Sequence, residues 1–498
     1  MESLQVKNLK SIADSGTIYI KPITAFVGRN SSGKSSLIRC FPLFKQSAES
    51  KTLGTVLWSG KYVDYGSFDE SLNNINRLDQ KEISFRFSFA CATANQRAFL
   101  PQGTKVDLTI SVHGDEYSKS SYTNIEYSVF GSTISMRVNS DLKILSLYIN
   151  ELEFTRAAAE LYRAYKTYSI APVLIATGSR SLAGYDSGYS SLAKEIKQHV
   201  HHKTSDDRVR MIARSLRLSD NAGILRTLSN KSLVGDFAAA RISNWSTEAP
   251  ALKKIKDQII LTNLDKIVDQ ITENFAAFFF ASRYITPLRA AADRYYRIKN
   301  ISIEELDPTG SNLAMFLHAK KESEIEEINT WLRAEMGFAI KIIGSHGHAS
   351  IFIIDNSSKN MANIADTGFG ISQVLPVLIQ IWQLSKHPGR RLFSINAPTT
   401  IVIEQPELHL HPKMQSRVGD VFCKAVKLAR ANGIDLRIVI ETHSKDIIEA
   451  IGKCVENGTI TKSDAAIYLV DKEHGVELSE FDEGGFLTHW PYGFFDGE

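Results

Sequence analysis

The sequence predicts an α/β fold with mixed and parallel sheets around a phosphate-binding loop, an antiparallel β subdomain and a compact helical insert. Three observations predict it. GRNSSGKS, Gly28 to Ser35, fits G-x-x-x-x-G-K-[ST] and stands between an apolar strand and a helix. Residues 82 to 154 alternate polar and apolar with period two, as successive antiparallel strands do. TIVIE, a helical stretch and LRIVIE then follow in the strand–helix–strand order of a parallel crossover.

In chain order, LQVKNL, TIYI and ITAFVG read as short strands, and KSSLIRCFPLFKQS as a helix. EISFRFSF, KVDLTISVHG, NIEYSVFG, TISMRV and LKILSLYINELEF are rich in β-branched and aromatic residues, and Gly114 and Gly131 punctuate them. From about Thr155 the pattern turns helical and irregular, without sustained heptads. A strand returns at RYITPL. Two helices follow, SNLAMFLHAKK and EIEEINTWLRAEMG, then a hairpin of AIKIIG and ASIFIID and a helix from Ile371 to Lys386. The expected units are residues 1–155, an insert at 156–275, and 276–498.

The chain has 498 residues, 43% hydrophobic and 23% charged, with a net charge of +3, so global charge argues neither for nor against nucleic acid. Cys40, Cys91, Cys423 and Cys454 are widely spaced, which disfavours a disulfide framework or zinc site and fits a reducing cytoplasm. The first residues alternate in polarity instead of forming a signal-peptide block, and no apolar run approaches the ~20 residues of a membrane span.

In the phosphate loop, Gly28, Arg29, Asn30, Ser31, Ser32, Gly33, Lys34, Ser35 and Ser36 are the expected nucleotide contacts. Backbone N–H groups wrap phosphate oxygens, Lys34 reaches the β- and γ-phosphates, and the Ser35 hydroxyl holds Mg²⁺. Glu404 ends the apolar strand in TIVIEQPELHLHP. Alone it would be an ordinary strand-end carboxylate; beside a phosphate loop it reads as a magnesium ligand. Gln405 follows, able to orient a water but not to accept its proton. Glu407 is a candidate for the missing carboxylate, or for a contact with a partner subunit. His443, ending a further apolar strand in IVIETHSKDII, can contact the γ-phosphate. NIADTGFGISQVLPVLIQIW places Gly368, Gly370, Ser372 and Gln373 at a helix start, a second anion site suited to the nucleotide of another subunit.

This order of motifs resembles an ABC-type ATPase head of the branch containing SMC proteins and OLD-like ATPases. LQVKNLKSIADSGTIYIKPITAFVGRNSSGKSSLI is similar to that branch's N-terminal signature, TIVIEQPELHLHP to its Walker B and D-loop, ETHS to its H-switch, and DTGFGISQ to its variant signature motif. YITPLR and the closing WPYGFFDGE are similar to segments of short-insert relatives, the ATPase subunits of antiphage systems of the Septu and PARIS type and of some retrons. The resemblance covers about 1–155 and 280–498. It implies two heads sandwiching two ATP molecules with Mg²⁺, in a homodimer or larger assembly. Nuclease members of the branch carry a Toprim domain with a DxD pair, and none occurs after His443. A nuclease effector is therefore expected in a separate partner. The alternative is a DNA-repair or chromosome-associated ATPase acting directly on DNA.

Other signals are weaker. Arg289 in TPLRAAADRYYR reads as a phosphate or partner contact, or as a surface arginine. Arg210, Arg214 and Arg217 fall at i, i+4, i+7 spacing, a stripe for DNA or RNA or a solvated face. HVHHK resembles metal-ligand spacing only loosely. Tyr492, Phe494 and Phe495 would dock a partner or fold back on the core.

Overall fold

The computed structural model describes residues 1–50, 54–73, 81–92, 98–114, 121–141, 143–165, 172–177, 182–298, 303, 305–345, 347–387, 397–472 and 475–489. The segment holding Tyr492, Phe494 and Phe495 lies outside them.

A six-stranded sheet carries the phosphate loop. Its order is Arg283–Ile285, Thr399–Glu404, Leu436–Glu441, Ile23–Val27, Ala465–Asp471 and Gly475–Ser479; the first five are parallel and the last is an antiparallel edge. The expected crossover is present: helix Pro412–Ala431 joins Thr399–Glu404 to its parallel neighbour Leu436–Glu441. Both faces of the sheet are buried, which is why its strands read as continuous apolar runs. Ile23, Ala25, Val27, Ile401, Ile403, Ile438 and Ile440 face one apolar core, while Phe26, Val402, Val439, Tyr468 and Val470 face the other.

The second core lies under a nine-stranded antiparallel sheet built from residues 3–19 and 82–153, matching the period-two reading. The hairpin Phe338–Ser345 with His348–Asp355 is also as expected.

Three local features differ from the expectation. The helix after the phosphate loop is two pieces, Lys34–Ile38 and Cys40–Glu49. Pro42 has no N–H to offer the Ile38 carbonyl, which breaks the ladder there. The insert contains, besides helices, a two-stranded pair, Tyr162–Tyr165 with Val173–Ala176. The boundary drawn at 275/276 falls inside the single helix Leu264–Ala281. Phe275 and Phe279 of that helix surround Phe44 together with Phe85 and Phe87, with ring centroids 4.9 to 5.8 Å from Phe44. The helix thus belongs to the core, whatever its place in the chain. The three insert arginines also do not share a helix: it ends at Ser215, and Arg217 lies beyond it, over the Phe99 ring.

Buried charge is handled in two ways. Lys45, almost fully buried, is satisfied: its ammonium donates to the Ser282 carbonyl at 2.7 Å and pairs with Glu305 at 3.1 Å and Glu49 at 3.4 Å. Asp269, on Leu264–Ala281, is only partly satisfied: the Leu174 N–H bonds to its carboxyl, but its Oδ1 is buried without a hydrogen-bond partner. Burial, with Asp265 and Glu273 nearby, pushes its carboxyl up to about 7. A carboxyl held up in the fold contributes stability that is full below its unfolded value near 3.8 and is lost as pH rises through 7. Asp269→Asn is therefore expected to be more stable than the parent near pH 8 and to show a smaller drop in urea midpoint between pH 4 and pH 8. An unchanged drop would assign that pH dependence elsewhere.

Candidate active site

The phosphate loop is held in a conformation that requires glycine. A Cβ on Gly28 would lie 2.2 Å from the Val470 carbonyl oxygen, and Gly33 has φ +112° with Ile12 Cδ1 2.4 Å from where its Cβ would be. Arg29, Asn30 and Ser31 are exposed, and Ser32 is buried with its hydroxyl unpartnered. Lys34 is buried and donates to the Gly28 and Arg29 carbonyls at 2.8 and 2.7 Å. Burial lowers its ammonium below the ordinary lysine value, opposed by Glu441 and Glu407. Ser36 lends its carbonyl to the Tyr65 hydroxyl at 3.1 Å. The loop thus collects a lysine and an unsatisfied hydroxyl at one point, a donor set that fits phosphate.

Glu404 and Glu441 are register partners at the ends of neighbouring parallel strands. Their positions relative to Val402 and Val439 put both on the face that carries the phosphate-loop helix. They have different surroundings. Arg39 clasps Glu404 at both oxygens, Nε to Oε1 and Nη2 to Oε2, each at 2.7 Å, and the Tyr284 hydroxyl donates to Oε1 at 2.6 Å. The carboxylate holds the Arg39 guanidinium above its ordinary value. Glu441 receives the Ser35 hydroxyl on Oε1 at 2.9 Å, while its Oε2 is buried without a partner. Burial and the neighbouring Glu404 charge push Glu441 up to about 7. Ser35 and Glu404, the two residues assigned to magnesium from sequence, are not hydrogen-bonded to each other.

After Glu404 the chain turns through Gln405 at φ +45°, a left-handed conformation uncommon outside glycine. The Gln405 N–H donates to the Glu441 carbonyl at 2.8 Å. Pro406 then directs Glu407 back into its own chain, where it accepts from the Thr442 hydroxyl at 2.8 Å and the His443 N–H at 2.7 Å. Burial raises the Glu407 carboxyl above the ordinary range, opposed by these hydrogen bonds and by Arg289. Burial, then the Lys34 charge, lowers the His443 imidazole to about 4, so it is neutral at pH 7.

Arg289 is no surface arginine. It is 6% exposed and donates Nη2 to the Glu404 carbonyl at 2.8 Å; its Nε and Nη1 have no hydrogen-bond partner. Burial lowers its guanidinium to about 10.

The signature-like residues divide. Gly368 is exposed at the start of helix Phe369–Lys386, and a Cβ on Gly370 would meet the His409 carbonyl at 2.9 Å. Ser372 and Gln373 turn inward: the Ser372 hydroxyl donates to the Phe369 carbonyl at 2.9 Å, and the Gln373 amide to the Arg289 carbonyl at 3.4 Å. In the insert, His201 lies against His202 and Phe237, and no group of three or more His, Cys, Asp or Glu suited to a metal gathers among the described residues. Likewise, among them no helix is long and apolar enough to cross a membrane.

The sequence reading missed two residues. Glu441 looked like the last residue of an apolar run; its signal was a lone acid ending a buried strand beside the phosphate loop. Arg39 gave no signal, because its partner is 365 residues away.

A phosphate loop on a parallel strand, with strand-end carboxylates and a histidine beside it, defines a P-loop nucleoside triphosphatase. Residues 1–448 match the AAA ATPase domain family (AAA_15), and the chain belongs to it; the protein is an ATPase. No curated protein matches the chain. Among solved structures it is similar to the SmcHead bound to the C-winged helix domain of ScpA, with 11% identity over 97% of this chain and 95% of that one and a TM-score of 0.34. It is also similar to the SMC head domain from Thermotoga maritima, with 8% identity over 97% and 98% and a TM-score of 0.36.

Proposed function

We propose that this ATPase is a slow, SMC-like switch that binds ATP between two heads and serves as sensor and scaffold of an antiphage defence system, holding a separate nuclease effector. The observation that carries the slow switch is the pairing of Gln405 with Glu407. The position directly after Glu404 holds a residue that cannot accept a proton, and the nearest candidate base is tied to Thr442 and His443. The antiphage role and the effector rest on the motif resemblance alone.

In this reading the phosphate loop and Lys34 bind the triphosphate. Gln405 orients the attacking water, and Glu407 accepts its proton. His443, neutral, meets the γ-phosphate, and the helix start at exposed Gly368 and half-buried Gly370 meets the nucleotide of the other subunit. Mg²⁺ supplies charge neutralisation on the phosphate oxygens. Phosphoryl transfer needs mostly positioning and charge stabilisation, so a glutamine slows the site without silencing it.

Steady-state ATP turnover is expected to fall well below about 10 per second, an ordinary enzyme rate. Gln405→Glu is expected to raise it. Fast turnover in the parent, or no gain in the variant, would overturn the slow-switch reading. Strong, salt-sensitive, sequence-independent DNA binding that stimulates hydrolysis would instead support a DNA-repair ATPase.

A further inference from the structure

We propose that Glu441, rather than Glu404, is the carboxylate that shares the nucleotide's divalent cation with Ser35. The inference rests on the ATP-binding reading above and assigns its metal contact to a different strand.

Lone-pair capacity decides between the two acids. An ionised carboxylate has about four acceptor sites. Arg39 and Tyr284 occupy three on Glu404, and the arginine's planar fork already neutralises its charge. Among the described residues, Glu441 accepts a side-chain hydrogen bond only from the Ser35 hydroxyl, and its Oε2 is buried with no partner. An unpaired buried carboxylate oxygen is costly unless something positive reaches it. Lys34, whose charge acts on Glu441, donates its ammonium to the Gly28 and Arg29 carbonyls.

Position agrees. Leu436–Glu441 lies between the phosphate-loop strand and Thr399–Glu404, and Glu441 is in register with Phe26, two residues before the loop's first glycine. Glu404 is one strand further away, roughly 4.8 Å across the sheet. A small hard cation takes oxygen ligands at close to 2.1 Å and usually only one or two from the protein. The Ser35 hydroxyl and Glu441 Oε2 present such a pair next to the expected phosphates. With a cation held there, the Ser35 hydroxyl and Glu441 would supply oxygen ligands, the hydroxyl giving up its hydrogen bond to Glu441. Glu404 then acts as a positioning residue, holding Arg39 and Tyr284.

The test uses the full chain with Mn²⁺ as the probe, followed by electron paramagnetic resonance in the presence of ATPγS. Nucleotide binding in EDTA is measured alongside as a check that each variant is folded. Glu441→Gln is expected to weaken Mn²⁺ binding by about tenfold or more, with nucleotide affinity in EDTA unchanged. Glu404→Gln, which keeps one accepting oxygen for the Arg39 fork, is expected to keep near-parental Mn²⁺ affinity. Retained Mn²⁺ binding in Glu441→Gln, or an equal loss in Glu404→Gln, would overturn the assignment. Failure of the parent to bind ATPγS at all would instead remove the ATP-binding reading on which it rests.

Discussion

Glu407→Gln is expected to lower ATP turnover by about a hundredfold or more while leaving ATP binding intact. Glu407 is the carboxylate fixed on the turn after Gln405, and both its oxygens accept: Oε2 from the Thr442 hydroxyl and Oε1 from the His443 N–H. An amide has one accepting end. Whichever way it is turned, one of these donors faces an NH₂ group, at a cost of about 1–3 kcal/mol for the unsatisfied partner. The substitution therefore removes a proton acceptor and loosens the strand end that presents His443. Lys34 and the loop glycines are untouched, so nucleotide affinity is the internal control. Unchanged turnover would leave Glu407 a structural tie and return the proton-accepting role to an unidentified group.

The second large effect is on stability. Arg39→Ala is expected to cost about 3 kcal/mol, read as a lower urea midpoint. Glu404 is 1% exposed, and Arg39 supplies two of its three side-chain hydrogen bonds. Removing the arginine leaves a buried charge with only the Tyr284 hydroxyl. The expected loss is at the low end of the range for a broken buried pair, because the Arg39 side chain is 37% exposed and partly solvated. Replacing both partners with apolar residues should recover much of the loss, since the penalty lies in the orphaned charge rather than in the missing attraction. A midpoint unchanged in Arg39→Ala would mean that Glu404 finds another counter-charge.

Much of the architecture was legible because its signals are local. Strict alternation from Glu82 to Phe154 marks half-buried strands, and the two apolar runs around Pro412–Ala431 mark a parallel crossover; both are present. The phosphate loop was legible because its glycines answer to local geometry, as the 2.2 Å approach at Gly28 illustrates. What was not legible depends on strand order. Nothing between Leu436 and Glu441 says that this strand inserts beside Ile23–Val27, and that insertion is what brings Glu441 to Ser35. Arg289 reads from sequence as a surface or a site residue because burial of a lone arginine depends on tertiary neighbours, here the Glu404 and Gln405 carbonyls. Ser372 and Gln373 belonged to a helix start whose rotation about its axis the motif did not fix, and both turned inward.

Helix Leu264–Ala281 has a mechanical consequence. Its phenylalanines hold Phe44, and Phe44 stands on Cys40–Glu49, the second of the two helix pieces after the phosphate loop. Close-packed rings have low compressibility and transmit strain. A shift of the loop helix toward an incoming triphosphate would thus be carried into helix Leu264–Ala281 as a push along this aromatic contact.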